Sequence, residues 1–157
     1  KLPEGVYLIV SLLSRQLSSE EQELIFKSFK PYLLMMLTED LSYKILIKII
    51  LKYPEDYFSE VYQVILSNFT YYAKIKSSNE VIKIILSKQN ISINISESIA
   101  TLVTENLQVL SKHKIANSVV IACLFVRIYL NKKLILYKLS VLEFKALSKD
   151  ENFKCFN

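Results

Sequence analysis

Large apolar residues recur along this chain at the three- and four-residue spacing of a helix face, and the same arrangement returns at a longer interval. When Lys44, Asn79 and Asn117 are aligned as one anchor position, apolar residues stand ten and seven residues before each anchor. These residues are Leu34 and Leu37, Phe69 and Tyr72, and Leu107 and Leu110. Paired aliphatic residues follow each anchor, namely Leu46-Ile47, Val81-Ile82 and Val119-Val120. The pattern predicts that each anchor opens a helix with one buried face.

The anchor position occurs five times along the chain when two incomplete units are included. Its residues are Val6, Lys44, Asn79, Asn117 and Lys154, at intervals of 38, 35, 38 and 37 residues. An upstream helix repeats as well, with apolar pairs at Phe26 and Phe29, Val61 and Val64, Ile99 and Leu102, and Leu136 and Leu139. Each unit is therefore predicted to contain two helices, which bury their apolar faces only when successive units stack. The sequence predicts an all-α protein, specifically an α-solenoid with a period of about 36 residues.

The predicted units divide the whole chain. Partial units cover residues 1–14 and 131–157, and complete units cover about 18–51, 55–87 and 95–125. Polar links separate the units, and in the first link Ser18 and Glu21 have the spacing of a capping box, which starts a helix. Because both ends of the chain fall inside a unit, we expect residues 1–157 to be part of one longer solenoid domain.

Composition supports helices and argues against β-rich folds. The 157 residues are 52% hydrophobic and include one Gly and three Pro, so the tight turns of sandwiches and barrels have few candidates. No apolar run approaches the roughly 20 residues that cross a bilayer, and no signal-peptide pattern is present. We therefore expect the apolar side chains to be buried in protein, and we expect no membrane partner.

The inventory of reactive side chains argues against catalysis. A single His excludes a multi-histidine metal site, and a single Gly excludes a glycine-rich phosphate loop. Carboxylates such as Glu55 and Asp56 cluster in the predicted links, and no acid–base pair can be nominated. Cys123 and Cys155 lack metal-ligand spacing, and Cys123 is predicted to be a reduced structural thiol on an apolar helix face. We expect neither an enzyme nor a cofactor.

The third complete unit resembles a repeat of the Pumilio (PUF) family of RNA-binding proteins. The likeness rests on the run Leu110-Ser-Lys-His-Lys114, the small residue Ala116, the polar pair Asn117-Ser118 and the aliphatic pair Val119-Val120. The resemblance implies that the second helices of the units line a concave surface, on which each unit meets one unstacked RNA base. It also implies a structural role for His113 in the turn before the second helix.

Carried over by position, the resemblance implies a set of RNA-binding residues on the second helices. They are Tyr7, Lys44, Lys48, Asn79, Glu80, Lys83, Asn117, Ser118, Ile121 and Lys154. In the third complete unit, the resemblance assigns Asn117 and Ile121 to the base edge and Ser118 to the stacking position. The family's base-reading pairs are incomplete here, because Lys83 and Ile121 replace the partner of an Asn. A lysine ammonium binds phosphates better than it discriminates bases, so we expect single-stranded RNA to be held with weak sequence specificity.

Charge and family likeness together indicate an intracellular RNA partner. The formal net charge is +5 and the isoelectric point is about 9.1, which favours a polyanion. The resemblance implies mRNA or ribosomal RNA as the partner, in the cytoplasm or the nucleolus. The corresponding roles are post-transcriptional regulation or ribosome biogenesis, and the convex face is left for protein partners.

A protein-binding scaffold of the HEAT or armadillo kind is the alternative. Such a solenoid uses its concave surface to hold a peptide or a partner helix. The apolar residues Val6, Val10, Ile45 and Ile121 at groove positions favour this alternative, whereas the recurring lysines favour RNA. The salt dependence of single-stranded RNA binding separates the two hypotheses.

Overall fold

The computed structural model describes residues 3–88, 92–125 and 129–147. Within these ranges the chain is helical and has no β-strand, so the all-α prediction is confirmed. The α-helices of these ranges are α1 Pro3–Leu13, α2 Ser19–Phe29, α3 Leu33–Met36, α4 Tyr43–Lys52, α5 Ser59–Ser67, α6 Phe69–Lys74, α7 Lys76–Ser87, α8 Ile93–Glu105, α9 Leu107–Lys112, α10 Asn117–Phe125 and α11 Tyr129–Leu147. Two short 3-10 helices, Lys30–Tyr32 and Glu55–Phe58, precede α3 and α5. None of the described helices is both long enough and apolar enough to cross a membrane.

Two of the first helices of the units, α2 and α8, begin at side-chain caps. Before α2, the Ser18 hydroxyl accepts the Glu21 N–H at 3.3 Å, and the Glu21 carboxylate accepts the Ser18 N–H at 2.7 Å. This confirms the predicted capping box. Before α8, Ser92 accepts the N–H of Ile95 at 3.4 Å, while the carboxylate that accepts the Ser92 N–H at 2.5 Å belongs to Glu55. The second cap therefore joins two successive units of the chain.

Each complete unit contains three α-helical segments rather than the two that were predicted. The units consist of α2, α3 and α4, then α5, α6 and α7, then α8, α9 and α10. The extra break falls at Asn68 and Asn106, whose backbones leave the helical region at φ −137°, ψ 49° and φ −101°, ψ 16°. Asn competes with helix continuation by bonding nearby backbone groups, and the Asn106 side chain donates to the Leu102 carbonyl at 2.9 Å. In the first unit, the 3-10 helix that contains Pro31 makes the break instead.

Equivalent helices pack on one another in chain order. The second helices form the series α1 on α4, α4 on α7 and α7 on α10, and the first helices α5, α8 and α11 pack in the same way. The aliphatic residues that follow each anchor are central to this packing, since Leu46, Ile82 and Val119 are fully buried. Two predicted core positions are wrong. Leu34 is 44% exposed, because the 3-10 helix shifts the short helix and Leu33 is buried instead. Leu136 on α11 is 55% exposed, and its neighbour Ile135 is buried instead.

Two lysines join successive second helices at their carboxyl ends. The Lys52 ammonium donates to the carbonyls of Leu13 at 3.2 Å and Arg15 at 2.6 Å, at the end of α1. The Lys88 ammonium donates to the carbonyls of Ile50 at 2.7 Å and Tyr53 at 2.8 Å, at the end of α4. The last carbonyls of a helix lack intrahelical donors and carry partial negative charge, so a lysine from the next unit satisfies them.

Cys123 lies in the core between the second helices. Its thiol is free and buried, which agrees with the predicted reduced structural cysteine. Burial raises the pKa of this thiol to about 12, so the reactive thiolate form is strongly disfavoured. Cys155 lies outside the described residues.

Candidate functional site

The candidate site is the row formed by the second helices, because their packing order places the anchor regions side by side. Lys44 lies in the first turn of α4, Asn79 in the first turn of α7, and Asn117 opens α10. We call the row's predicted residues with exposed or half-buried side chains the anchor surface. It consists of Tyr7, Lys44, Lys48, Glu80, Lys83, Asn117, Ser118 and Ile121.

Lys44 and Tyr7 form a contact between α4 and α1. The Lys44 ammonium lies 5.4 Å from the centre of the Tyr7 ring, within the range of a cation–π interaction. The Tyr7 side chain is 60% exposed, while Lys44 and Lys48 are half-buried. Lys48 follows Lys44 by four residues and therefore shares its helix face. This part of the anchor surface combines two cations with an exposed aromatic ring.

Lys83 is neutralised within its own helix. Its ammonium lies 2.6 Å from a carboxylate oxygen of Glu80, and the two side chains are 30% and 40% exposed. The predicted RNA-binding residues Glu80 and Lys83 therefore present an ion pair instead of a free cation. The net positive charge of the anchor surface comes from Lys44 and Lys48.

Asn79 does not lie on the surface, contrary to the predicted role at a base edge. It is 1% exposed, and its amide nitrogen donates to the carbonyls of Ala73 at 2.8 Å and Ile115 at 3.2 Å. Its amide oxygen accepts the Ser118 hydroxyl at 2.8 Å. Three of the four hydrogen-bonding capacities of the amide are used inside the protein. Because the side chain is buried, the amide is not available to a ligand at the surface.

Ser118 likewise serves the contact between units. Its hydroxyl oxygen lies 2.8 Å from the Asn79 amide oxygen and 2.9 Å from the Ile115 carbonyl, and the side chain is half-buried. The predicted stacking role of Ser118 therefore does not agree with its surroundings. The Asn79 and Ser118 side chains instead join α7 to the start of α10.

Asn117 and Ile121 are exposed at the end of the row, as the predicted base contacts require. Ile121 is 54% exposed and follows Asn117 by four residues on α10. In the first complete unit, by contrast, Ile45 is 4% exposed and belongs to the core, which removes it from the proposed apolar groove. Val6 and Val10 are half-buried against the core. Lys154 lies outside the described residues.

His113 has the structural role that the family resemblance implied. Its Nδ1 accepts the backbone N–H groups of Ile115 and Ala116, each at 3.3 Å. These N–H groups lie just before α10, where the early donors of a helix need acceptors. The imidazole therefore organises the turn that leads into the anchor Asn117.

Two cavities lie away from the anchor surface. One of about 260 Å³ opens between α2–α3 and α5, beside Phe26, Leu33 and Tyr57. Another of about 240 Å³ opens between α8–α9 and α11, beside Thr104, Leu107 and other side chains. No group of three or more His, Cys, Asp or Glu capable of holding a metal occurs among the described residues. Neither cavity includes a residue of the anchor surface.

Four lysines outside the predicted set of RNA-binding residues flank the anchor surface. They are Lys74, Lys76, Lys112 and Lys114. The sequence shows them as a repeated Lys-x-Lys pattern. The two lysines of each pattern stand five and three residues before an anchor, and the pattern precedes two successive anchors. The structural role of Lys52 and Lys88 was not predicted either. The pattern that marks it is a lysine that recurs at the end of successive second helices.

Comparison with known proteins adds no relative. No protein-family model matches the chain, and no curated protein matches it significantly. The likeness of residues 110–124 to a Pumilio repeat therefore stays a prediction.

Proposed function

We propose that this chain is an RNA-binding α-solenoid of stacked repeats, which holds single-stranded RNA along its second helices with little sequence preference. One observation carries the proposal: Lys44 and Lys48 lie on one face of α4, and the Lys44 ammonium is 5.4 Å from the centre of the exposed Tyr7 ring. Single-stranded nucleic acids are held by cations that track the phosphates and by aromatic rings on which bases stack. Lys44, Lys48 and Tyr7 supply both kinds of group.

The weak sequence preference follows from the surroundings of the candidate base contacts. Asn79 is enclosed between units, and Ile121 has no hydrogen-bonding group for a base edge. Among the described candidates, Asn117 retains an exposed amide. Lysine contacts to phosphates position a strand without reading its sequence, so backbone binding dominates.

The solenoid part of the proposal is supported by the chain-order packing of equivalent helices. Contacts at unit spacing join the units as well, since Lys52 and Lys88 bond the preceding second helix in the same manner. The Pumilio-like run of residues 110–114 extends the proposal to a divergent member of that family. An intracellular role in mRNA regulation or ribosome biogenesis belongs to the same proposal.

The test is the salt dependence of RNA binding by a Lys44→Gln/Lys48→Gln variant. Each lost lysine–phosphate contact on a single strand lowers the salt slope by about 0.7, so the double variant should lose about 1.4. At about 0.1 M salt this corresponds to roughly 25-fold weaker binding. The matched control is Lys27→Gln/Lys30→Gln, which removes two exposed lysines from α2 and the turn after it. Equal slopes in the two double variants would contradict the proposed site.

A protein-binding scaffold is the second candidate function. Ile121 and Phe125 lie four residues apart on α10 and are 54% and 82% exposed, which offers an apolar face to a partner helix. Failure of the chain to bind any single-stranded RNA at low salt would place this candidate first. Ile121→Ser should then weaken partner binding, while Lys44→Gln/Lys48→Gln should not.

A further inference from the structure

Two turns of the same sequence pattern precede successive second helices. Lys74-Ile75-Lys76 leads into α7, and Lys112-His113-Lys114 leads towards α10. The two lysine pairs are separated by the same 38 residues as their anchors, Asn79 and Asn117. We call these four lysines the turn edge.

The two turns also share one backbone conformation. Ile75 has φ −89° and ψ 129°, and His113 has φ −87° and ψ 128°. The N–H of each of these residues donates at 3.2 Å to the carbonyl three residues earlier, on Tyr72 or Leu110. The structure therefore places the flanking lysines in equivalent positions of the two units.

The two turns are held side by side. Helix α6 packs on α9, and α7 packs on α10. The Asn79 amide, three residues after Lys76, donates to the carbonyl of Ile115, which directly follows Lys114. This bond joins the two turns across the boundary between the units, so the four lysines belong to one continuous edge.

No acidic residue neutralises the turn edge along its own chain segments. Residues 67–79 and 106–125 contain no Asp or Glu, and Glu80, four residues after Lys76 on α7, pairs with Lys83 instead. Lys76, Lys112 and Lys114 are exposed and Lys74 is half-buried. Within the described part of the chain, none of the four forms a hydrogen bond or an ion pair through its ammonium group. The corresponding segment of the first complete unit has the opposite sign, with Glu39 and Asp40.

Lys74 and Lys112 end α6 and α9, where a cation is favourable, but helix electrostatics give no folding reason for the placement of Lys76 and Lys114. The amino end of a helix carries partial positive charge, so cations there are unfavourable. Yet Lys76 is the first residue of α7, and Lys114 lies three residues before the start of α10. A bound polyanion reverses this energetic cost, because phosphates are favoured by the lysines and by the helix ends together.

We propose that the turn edge is a second contact site for single-stranded RNA, at which the four lysines bind backbone phosphates outside the anchor surface. The inference rests on the proposed function, because it extends the path of the same strand. The inference also states where the strand runs along the stack. It passes from the anchor surface to the turns of the second and third complete units, and it avoids the acidic turn of the first complete unit. Base identity has no role at this site, since lysine ammonium groups contact phosphates.

The experiment measures the affinity for a fluorescein-labelled single-stranded oligouridylate across a salt series, using the whole chain. Lys112→Gln/Lys114→Gln is compared with wild type and with the control Lys27→Gln/Lys30→Gln, which removes equal charge elsewhere. The turn-edge variant should lower the salt slope by about 1.4 and weaken binding roughly 25-fold at about 0.1 M salt. The control should leave the slope unchanged, and thermal melts should show all variants folded.

The outcomes separate this inference from the proposed function. If Lys112→Gln/Lys114→Gln behaves like the control while Lys44→Gln/Lys48→Gln loses affinity, the turn edge is overturned and the proposed function stands. A loss in the turn-edge variant alone supports the turn edge and overturns the anchor surface as the site. No binding by wild type at low salt overturns both. Turn-edge-dependent binding to phosphatidylserine vesicles without RNA binding would show a membrane surface as the partner and overturn the inference.

Discussion

Two regions of the molecule place recurring polar side chains in opposite surroundings. In the contact zone between units, Asn79, Lys52 and Lys88 donate to backbone carbonyls of neighbouring units. At the turn edge, Lys74, Lys76, Lys112 and Lys114 recur at the same unit spacing without such partners in the described residues. Recurrence of a lysine at the spacing of the predicted units therefore identifies an equivalent position, and only its surroundings distinguish a structural lysine from one proposed to bind a ligand.

The difference has a physical origin in the ends of the helices. A carboxyl end offers unpaired carbonyls with partial negative charge, so a lysine there is bound by the protein itself. Lys76 and Lys114 lie at or before amino ends, which offer unpaired N–H groups and repel a lysine, so their charge stays available to a ligand. Lys74 and Lys112 end α6 and α9, but their ammonium groups bond no carbonyl in the described residues.

The largest effect is expected for Asn79→Ala in the contact zone. The substitution removes three hydrogen bonds and leaves the Ala73 and Ile115 carbonyls and the Ser118 hydroxyl with fewer partners in the interior. We expect the free energy of unfolding to fall by about 3 kcal/mol in urea titrations followed by circular dichroism. Asn117→Ala is the matched control, since it changes the exposed Asn at the same unit position. Equal destabilisation by the two variants would contradict the contrast.

A smaller loss is expected for Lys88→Met, which keeps the length of the side chain without its charge. Two carbonyls of α4 lose their donor, and the ammonium contact 5.9 Å from the Phe58 ring centre is removed. Burial lowers the pKa of Lys88, so desolvation offsets part of what its bonds contribute. We expect about 2 kcal/mol of destabilisation in the same urea assay. Lys76→Met at the turn edge should change stability little; a reversed order of the two would refute the assignment.

Tyr62 extends the comparison to a buried polar group without a partner. Its side chain is buried, and its hydroxyl has no hydrogen-bond partner in the described structure. Tyr62→Phe should raise the free energy of unfolding by about 1 kcal/mol at neutral pH. Burial raises the pKa of Tyr62 to about 12, whereas an unfolded tyrosine titrates near 10. Between these values the unfolded state binds fewer protons, so wild-type stability should fall by up to about 1.4 kcal/mol per pH unit.

The fall in the free energy of unfolding at alkaline pH should be smaller in Tyr62→Phe than in wild type. The control is Tyr137→Phe, which removes the hydroxyl of a tyrosine that is 68% exposed. Urea unfolding midpoints between about pH 9 and pH 12 give the comparison. An identical pH dependence in wild type and Tyr62→Phe would contradict the role given to burial.

The smallest stability effect is expected at the turn edge. Lys112→Gln/Lys114→Gln removes exposed charges close to the start of α10, so the free energy of unfolding should change by less than about 0.5 kcal/mol. Thermal and urea unfolding measure this directly. Destabilisation comparable to that of Lys88→Met would show that these lysines are structural, and the contrast between the two regions would fail.

The apolar spacing predicted much of the fold. The interval between anchors placed Leu46, Ile82 and Val119 in the core, because burial of a helix face repeats with the helix period. The break of the upstream helix at Asn68 and Asn106 was missed. A single residue leaving the helical region does not disturb an apolar period, although Asn eleven residues before two anchors marked the position.

The candidate site was less predictable than the fold. Asn79 and Asn117 are the same residue type at the same unit position, yet one is enclosed and the other exposed. The outcome depends on what the next unit places against the amide, which for Asn79 is Ile115 and Ser118. Such pairing lies between residues almost forty positions apart, and alignment of the units alone does not show it.

The most direct test of the central claim is the salt dependence of wild-type binding to single-stranded RNA. On the proposed path the RNA strand makes six phosphate contacts, with Lys44 and Lys48 of the anchor surface and with the four turn-edge lysines. The logarithm of the binding constant should therefore fall with the logarithm of salt concentration with a slope of about −4. Oligouridylate, oligoadenylate and oligocytidylate should give similar slopes and affinities. Absence of binding at low salt, or binding with a slope near zero, would contradict an RNA-binding surface built on these lysines.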